Sequence, residues 1–82
     1  MIKLTIIIPV YNEIKTIEKL IKKVLKINIK KQLIVVDDGS SDGTELILKK
    51  LKKKINKLII HNKNRGKGAA IKSAQKFVKG KY

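Results

Sequence analysis

Apolar residues along this chain follow two patterns that alternate three times. Leu4 to Ile8 is a β-branched run with no polar alternation, as in a strand covered on both faces, and Pro9 is expected to stop it. From Glu13 to about Ile27 the apolar positions are Ile14, Ile17, Ile21, Val24 and Leu25, a helical stripe with lysines outside. Asn12 is placed to cap that helix, and Glu13 in its first turn complements the positive end of the dipole. Leu33 to Val36 reads as a second buried strand. Asp42, with Glu45 three residues later, resembles a capping box, and Ile47, Leu48, Leu51 and Ile55 form the inner stripe of a second helix. Leu58 to Ile60 gives a third, shorter strand. Gly66 to about Val78 gives a third helix, with Ala70, Ile71, Ala74, Phe77 and Val78 inward.

The order β-α-β-α-β-α with short joins predicts an α/β fold of three layers: three parallel strands, right-handed crossovers, and three helices against the sheet faces. Ligands of such sheets bind at the carboxyl ends of the strands. Three polar blocks fall at those ends: Pro9 to Glu13, Asp37 to Thr44, and Asn62 to Gly68. The first two carry acids and the third carries bases. Together they complement a nucleotide, with base and ribose on the acids and phosphates on the cations.

Each block has its own chemistry. The first turn has no glycine, which disfavours a dinucleotide cofactor fold. It offers instead a Tyr11 ring for a flat base, a stiffening Pro9 and the Glu13 carboxylate, although a hydrophobic staple and a helix cap would also account for it. Asp37 and Asp38 close the second strand, where adjacent side chains point to opposite faces. One of the pair is expected to accept backbone N–H bonds from the loop between Gly39 and Gly43, and the other to project into the crevice. Both glycines permit positive φ. Asn64, Arg65, Gly66, Lys67 and Gly68 open the third helix with cations and free N–H groups, which suits a pyrophosphate.

Look-alike motifs fail on spacing. A calcium loop from Asp38 would need an acid where Lys49 stands, and a Walker loop would need Ser or Thr where Gly68 stands. A phosphotransferring D-x-D-G-T would need an acid where Ser40 stands. A signalling receiver places its acid pair at the first strand and needs a later phosphoacceptor Asp. Nothing after Glu45 is acidic.

Composition adjusts this picture in a few places. At 82 residues and 43% hydrophobic content the chain makes at most one small ordered domain. A net charge of +15 suggests nucleic acid or an anionic membrane. Its source, however, is 20 Lys and a single Arg beside 15 Ile, a composition that A/T-rich codons give without selection for binding. Sequence-specific nucleic-acid readers favour Arg forks, and single-strand platforms need stacked aromatics, of which there are three in all (two Tyr and one Phe). No specific nucleic-acid partner is expected, and a weak, salt-sensitive attraction to anionic membranes is retained. The lysines at 49–54 overlie Leu51 and Ile55 and read as a solvated helix face. There is no Cys, so disulfides and thiolate metal sites are excluded, in keeping with a reducing compartment. His61, alone at the end of an apolar run, reads as a strand-end residue rather than a ligand. The first apolar stretch is too short to span a bilayer and no cleavage site follows it, so a cytoplasmic location is expected, on its membrane face if lipid is engaged.

In this order and spacing, the P-x-Y-N-E turn, the V-D-D-G-S-x-D-G-T block and the N-x-G-x-G loop resemble the amino-terminal part of a family 2 glycosyltransferase with a GT-A fold. The nearest likeness is to the polyprenyl-phosphate (dolichol-phosphate-type) mannosyl- and glucosyltransferases, and it runs across the whole chain. The resemblance implies a Rossmann-like nucleotide-sugar site. Pro9, Tyr11 and Glu13, with Val36 and Asp38, would border base and ribose, while Arg65 and Lys67 would lie toward the diphosphate. Asp37, Gly39, Asp42, Gly43 and Gly66 would support the loops. It also implies a UDP- or GDP-hexose donor, an acceptor such as a polyprenyl phosphate or saccharide, and Mg²⁺ or Mn²⁺ held by a D-x-D motif after a stretch like Gly80, Lys81 and Tyr82. That motif and the acceptor half are absent from this sequence. The expectation is therefore an amino-terminal, nucleotide-binding portion over 1–82, without catalytic or metal-binding residues and without turnover of its own. Alternative readings are a non-enzymatic nucleotide- or phosphate-binding module and a basic binder of anionic surfaces.

Overall fold

The computed structural model describes residues 2–79, so Gly80, Lys81 and Tyr82 lie outside the described residues. The elements are β1 (Leu4–Val10), α1 (Ile17–Leu25), β2 (Lys31–Asp37), α2 (Thr44–Lys50), β3 (Lys57–Ile60) and α3 (Lys67–Gln75), with a 3₁₀ turn at Lys52–Lys54 after α2. The strands form one parallel sheet in the order β1-β2-β3. Leu4 pairs with Lys31 and Val10 with Asp37, while Ile34 pairs with Lys57 and Asp37 with Ile60. The expected α/β architecture with three parallel strands and three helices is the one observed.

Strand parity divides the core into two layers. Leu33 and Val35 of β2 face α1 and α2, where they pack with Val10, Ile17, Ile21, Leu48, Leu51 and Ile55. Ile34 and Val36 face the other way, onto Ala70 and Ala74 of α3, with Ile7 and Ile59 beside them. Small residues on α3 let its backbone approach the sheet closely. Each fully buried Val, Leu or Ile is worth roughly 1.5–3 kcal/mol of apolar transfer, and central β2 supplies four such side chains in a row, Leu33 to Val36. Gln32 joins β1 to the end of α3: its Oε1 accepts from the Thr5 hydroxyl (2.9 Å) and the Lys79 N–H (2.8 Å), and its amide nitrogen donates to the Phe77 carbonyl (2.6 Å).

Several expected boundaries move. Pro9 does not stop β1, which continues to Val10. Val10 turns its carbonyl toward β2, where it accepts from the Asp38 N–H at 2.8 Å. By alternation, Pro9 presents its missing donor to the open edge, where no ladder bond is lost. The first helix starts at Ile17, not at Glu13. Asn12 does not cap it, because Asn12 takes φ +51 and its side chain accepts from the Ser41 N–H (2.8 Å). The Asp42–Glu45 capping box does not form. Asp42 accepts from Thr44, and Glu45 pairs with Lys49 instead, as Glu18 does with Lys22. These two exposed i,i+4 pairs add little to stability. Phe77, expected inward, is 38% exposed and lies under the Lys57 ammonium at 4.4 Å. Among the described residues no helix is long and apolar enough to cross a membrane.

Candidate functional site

Parallel pairing brings the carboxyl ends of all three strands to one edge, and α3 begins there. The paired register ends at Asp37 and Ile60. One step further on, Asp38 and His61 meet on the α3 face of the sheet.

Asp38 is 4% exposed and accepts three hydrogen bonds. Its Oδ1 takes the His61 Nδ1–H (2.8 Å) and the Arg65 backbone N–H (2.9 Å), and its Oδ2 takes the Gly66 N–H (2.8 Å). Burial pushes the carboxyl up. The bonds from His61, Arg65 and Gly66 outweigh that and hold it below its ordinary 3.8. Asp38 is thus an ionised acceptor, with Oδ2 the oxygen that has capacity left. Asp37 points to the opposite face, as strand alternation requires, and its Oδ1 accepts from the Ser40 N–H (3.1 Å). Its buried Oδ2 has no hydrogen-bond partner among the described residues.

The loop after β1 is stitched to the loop after β2. The Asn12 N–H donates to Ser40 Oγ (2.8 Å), the Glu13 N–H to Thr44 Oγ1 (3.0 Å) and the Ile14 N–H to Asp42 Oδ2 (3.1 Å), while Asn12 Oδ1 accepts from the Ser41 N–H (2.8 Å). Asp42 also receives the Thr44 hydroxyl, which together with the Thr44 and Ile14 N–H groups holds its carboxyl below 3.8 against the opposing effect of burial. The third loop closes against the second at Gly39 (φ +78), where an added Cβ would overlap the Lys63–Asn64 peptide.

These loops, with β1 and α3, border an open cavity of about 580 Å³. Pro9, Tyr11, Glu13, Asp38, Gly66 and Lys67 line it, and Ile7, Val10, Ala70 and Ile71 supply an apolar wall, with Asn64 at the third loop. Two anticipated residues are not part of this lining. Val36 is fully buried against α3, and the Arg65 side chain borders a separate cavity with Lys57, His61 and Ser73. Arg65 meets Asp38 through its backbone N–H. Missing from the sequence reading were His61 as a partner of Asp38, and Ser73, whose Oγ lies 3.0 Å from His61 Nε2. A lone His at the end of a strand parallel to an acid-ended strand was the available signal.

The two lowered carboxyls of these loops contribute an acid limb to stability. Both folded-state values lie below 3.8, so the stability they contribute is fully present above that value and is lost as pH falls through the lowered ones. Urea midpoints are expected to hold from neutral pH down to about 5 and to fall below about 4, with Asp42→Asn flattening the fall. An Asp42→Asn profile as steep as that of the unaltered chain would remove Asp42 from this account.

Implied divalent metal finds no ligand set here. Among the described residues no three His, Cys, Asp or Glu converge. The acids that line the cavity are Glu13 and Asp38, and three donors already engage Asp38.

Residues 5–82 match the model of the family described as glycosyl transferase family 2. An uncharacterized protein of Methanocaldococcus jannaschii is 45% identical over 74 residues, covering 87% of this chain and 31% of its own length. The crystal structure of Staphylococcus aureus TarS 1-349 in complex with UDP-GlcNAc superposes with a TM-score of 0.83 at 31% identity, over 96% of this chain and 24% of that one. The mannosyltransferase PcManGT from Pyrobaculum calidifontis, in complex with GDP-Man and Mn²⁺, gives a TM-score of 0.84 at 26% identity, over 94% of this chain and 24% of that one. The chain thus spans less than a third of the length of these proteins.

Proposed function

The chain belongs to glycosyl transferase family 2, and on that premise we propose that its cavity receives the nucleotide of a UDP- or GDP-sugar. In the whole protein this donor would give its hexose to an acceptor such as a polyprenyl phosphate or a saccharide. The observation that carries the reading is convergence: Glu13 and Asp38, from the ends of different strands, border one cavity together with the Tyr11 ring and Lys67 at the start of α3. A volume of about 580 Å³ lies within the range of small-ligand sites.

Each residue has a task in this reading. Pro9 and Tyr11 offer a stiff, flat surface for a base. Asp38, ionised and able only to accept, suits a base whose ring presents an N–H, as uracil and guanine do at neutral pH. The ring nitrogen of cytosine or adenine at the corresponding place is an acceptor and would repel it. Glu13 lies where ribose hydroxyls would donate. Lys67 and the free N–H groups of the first turn of α3 favour the diphosphate. Arg65 is assigned here to holding Asp38, through its backbone.

Transfer in this reading is a direct displacement at the anomeric carbon with inversion, to which these residues contribute binding and orientation. They supply no catalytic base. A divalent ion in the whole protein would offset charge on the leaving diphosphate, and no step of the reading passes through it. A cytoplasmic location, on its membrane face for a lipid-linked acceptor, fits such a donor.

Isothermal titration of the 82-residue chain with UDP, GDP and CDP tests the reading. UDP or GDP is expected to bind at least tenfold more tightly than CDP, since a wrongly placed acceptor costs about 1.4 kcal/mol or more. Equal affinity for all three, collapsing between low and physiological salt, would favour a nonspecific basic surface instead.

A further inference from the structure

Asp38 owes its orientation to a group outside the nucleotide cavity. His61, 8% exposed, follows β3 and bridges two side chains, with Nδ1 2.8 Å from Asp38 Oδ1 and Nε2 3.0 Å from Ser73 Oγ. An ionised carboxylate has no proton to give, so Nδ1 carries the shared proton. Nε2 then shares a hydrogen bond with the Ser73 hydroxyl on α3. The chain of bonds runs Ser73 to His61 to Asp38, from the middle of α3 to the end of β2.

From this geometry we infer that His61, steadied by Ser73, is a positioning residue that anchors Oδ1 of Asp38 and leaves Oδ2 as the oxygen that meets a ligand N–H. The inference rests on the nucleotide reading above for its ligand and on the bonds alone for its mechanism. A carboxylate can rotate about its last bond, and the two backbone donors alone, one to each oxygen, would tolerate a range of tilts. The His61 donor removes that range by giving Oδ1 a second bond from a different element. Arg65 and Gly66 lie late in the β3–α3 loop, whereas His61 directly follows β3 with its N–H still bonded to the Asp37 carbonyl of β2 (2.8 Å), and Ser73 belongs to the body of α3. The acceptor is therefore tied to the sheet and the helix as well as to a loop. The arrangement has the order of a Ser-His-Asp relay, but the transfer reaction asks no nucleophile of it, and its use here is to hold the acid.

Other titratable and charged groups around Asp38 bear on any test that follows its protonation. Lys67 lies across the cavity on α3, Glu13 and Tyr11 on the loop after β1, and the Arg65 side chain on the far side with Lys57. Substitution at His61 leaves all of these in place, so a change in Asp38 titration reports the loss of His61, its bond and its charge together, and the contrast between two neutral replacements isolates the bond.

Two polar replacements separate donation from mere packing. An Asn amide nitrogen occupies the place of the imidazole Nδ1, and a Gln amide nitrogen the place of Nε2. Asp38 in the 82-residue chain, labelled with ¹³C at Cγ, is titrated by NMR, and UDP and GDP affinities are measured alongside. His61→Asn is expected to keep the Asp38 midpoint below 3.8 and affinity within about threefold of the unaltered chain. With His61→Gln the midpoint is expected to rise toward 3.8 and affinity to fall about tenfold. Ser73→Ala should produce a smaller rise in the same direction. Circular dichroism confirms that each variant is folded. Identical behaviour of the Asn and Gln variants, whether both normal or both impaired, would overturn the inference. If the midpoints separate as expected but the unaltered chain binds neither nucleotide, positioning stands and the nucleotide reading fails.

Discussion

Asp38→Ala is expected to abolish measurable UDP or GDP binding and to cost the fold about 3 kcal/mol or more. The truncation strands three donors at once: the buried His61 Nδ1–H and the N–H groups of Arg65 and Gly66. Each donor left without its partner costs about 1–3 kcal/mol, and a domain this small has only about 5–10 kcal/mol in all. Asp38→Asn keeps the side-chain volume and one acceptor, which His61 and Arg65 would claim. Its amide then turns a donor toward the Gly66 N–H and toward the ligand's own N–H. That variant should remain folded yet bind UDP and GDP about a hundredfold more weakly, a loss of roughly 2.7 kcal/mol. Urea titration and calorimetry on the pair separate scaffold from recognition. Binding by Asp38→Asn within threefold of the unaltered chain would remove Asp38 from the donor site.

The other large effect is expected at Gly39. Its φ of +78 already disfavours a side chain, and the added Cβ would overlap the Lys63–Asn64 peptide, which is backbone and cannot swing aside. Gly39→Ala therefore forces the β2–α2 loop away from the β3–α3 loop and pulls the Arg65 and Gly66 donors off Asp38. Backbone strain of about 1–3 kcal/mol adds to those lost bonds, so a loss of more than 3 kcal/mol is expected, enough to broaden or abolish cooperative unfolding. Gly68→Ala provides the contrast. It lies in α3 with open space around the new Cβ, and is expected to be neutral or stabilising by up to about 1 kcal/mol. Equal urea midpoints for the two variants would show that the contact at Gly39 yields easily.

The succession of elements was legible because each local pattern agreed with its place in the fold. Leu33 to Val36 has no polar position and lies within the central strand, and the expected stripes, Ile14 excepted because it stays exposed before α1, are the residues that pack beneath the sheet. Strand alternation made it legible that one acid of the Asp37–Asp38 pair faces the crevice, but the choice of Asp38 came from the resemblance and not from the pattern. Where the reading failed, the deciding partner was distant in sequence. Asn12 looks like a cap until Ser40 and Ser41, 28 and 29 residues away, take its backbone and side chain. Pro9 reads as a stop until its strand proves to be an edge. The bond from the Arg65 N–H to Asp38 is likewise invisible in a sequence that shows only the charge of that residue. His61 carried no local sign of its partner, since the bond to Asp38 depends on the register between β2 and β3.

The stitched loops after β1 and β2 have a thermodynamic consequence. Their four bonds join residues 28–31 positions apart, so the recognition surface cannot exist in a chain that has only local order. Occupancy and folding then form a single linked equilibrium. A nucleotide at a hundred times its dissociation constant would add about 2.7 kcal/mol to the native state, a substantial increment for so small a domain.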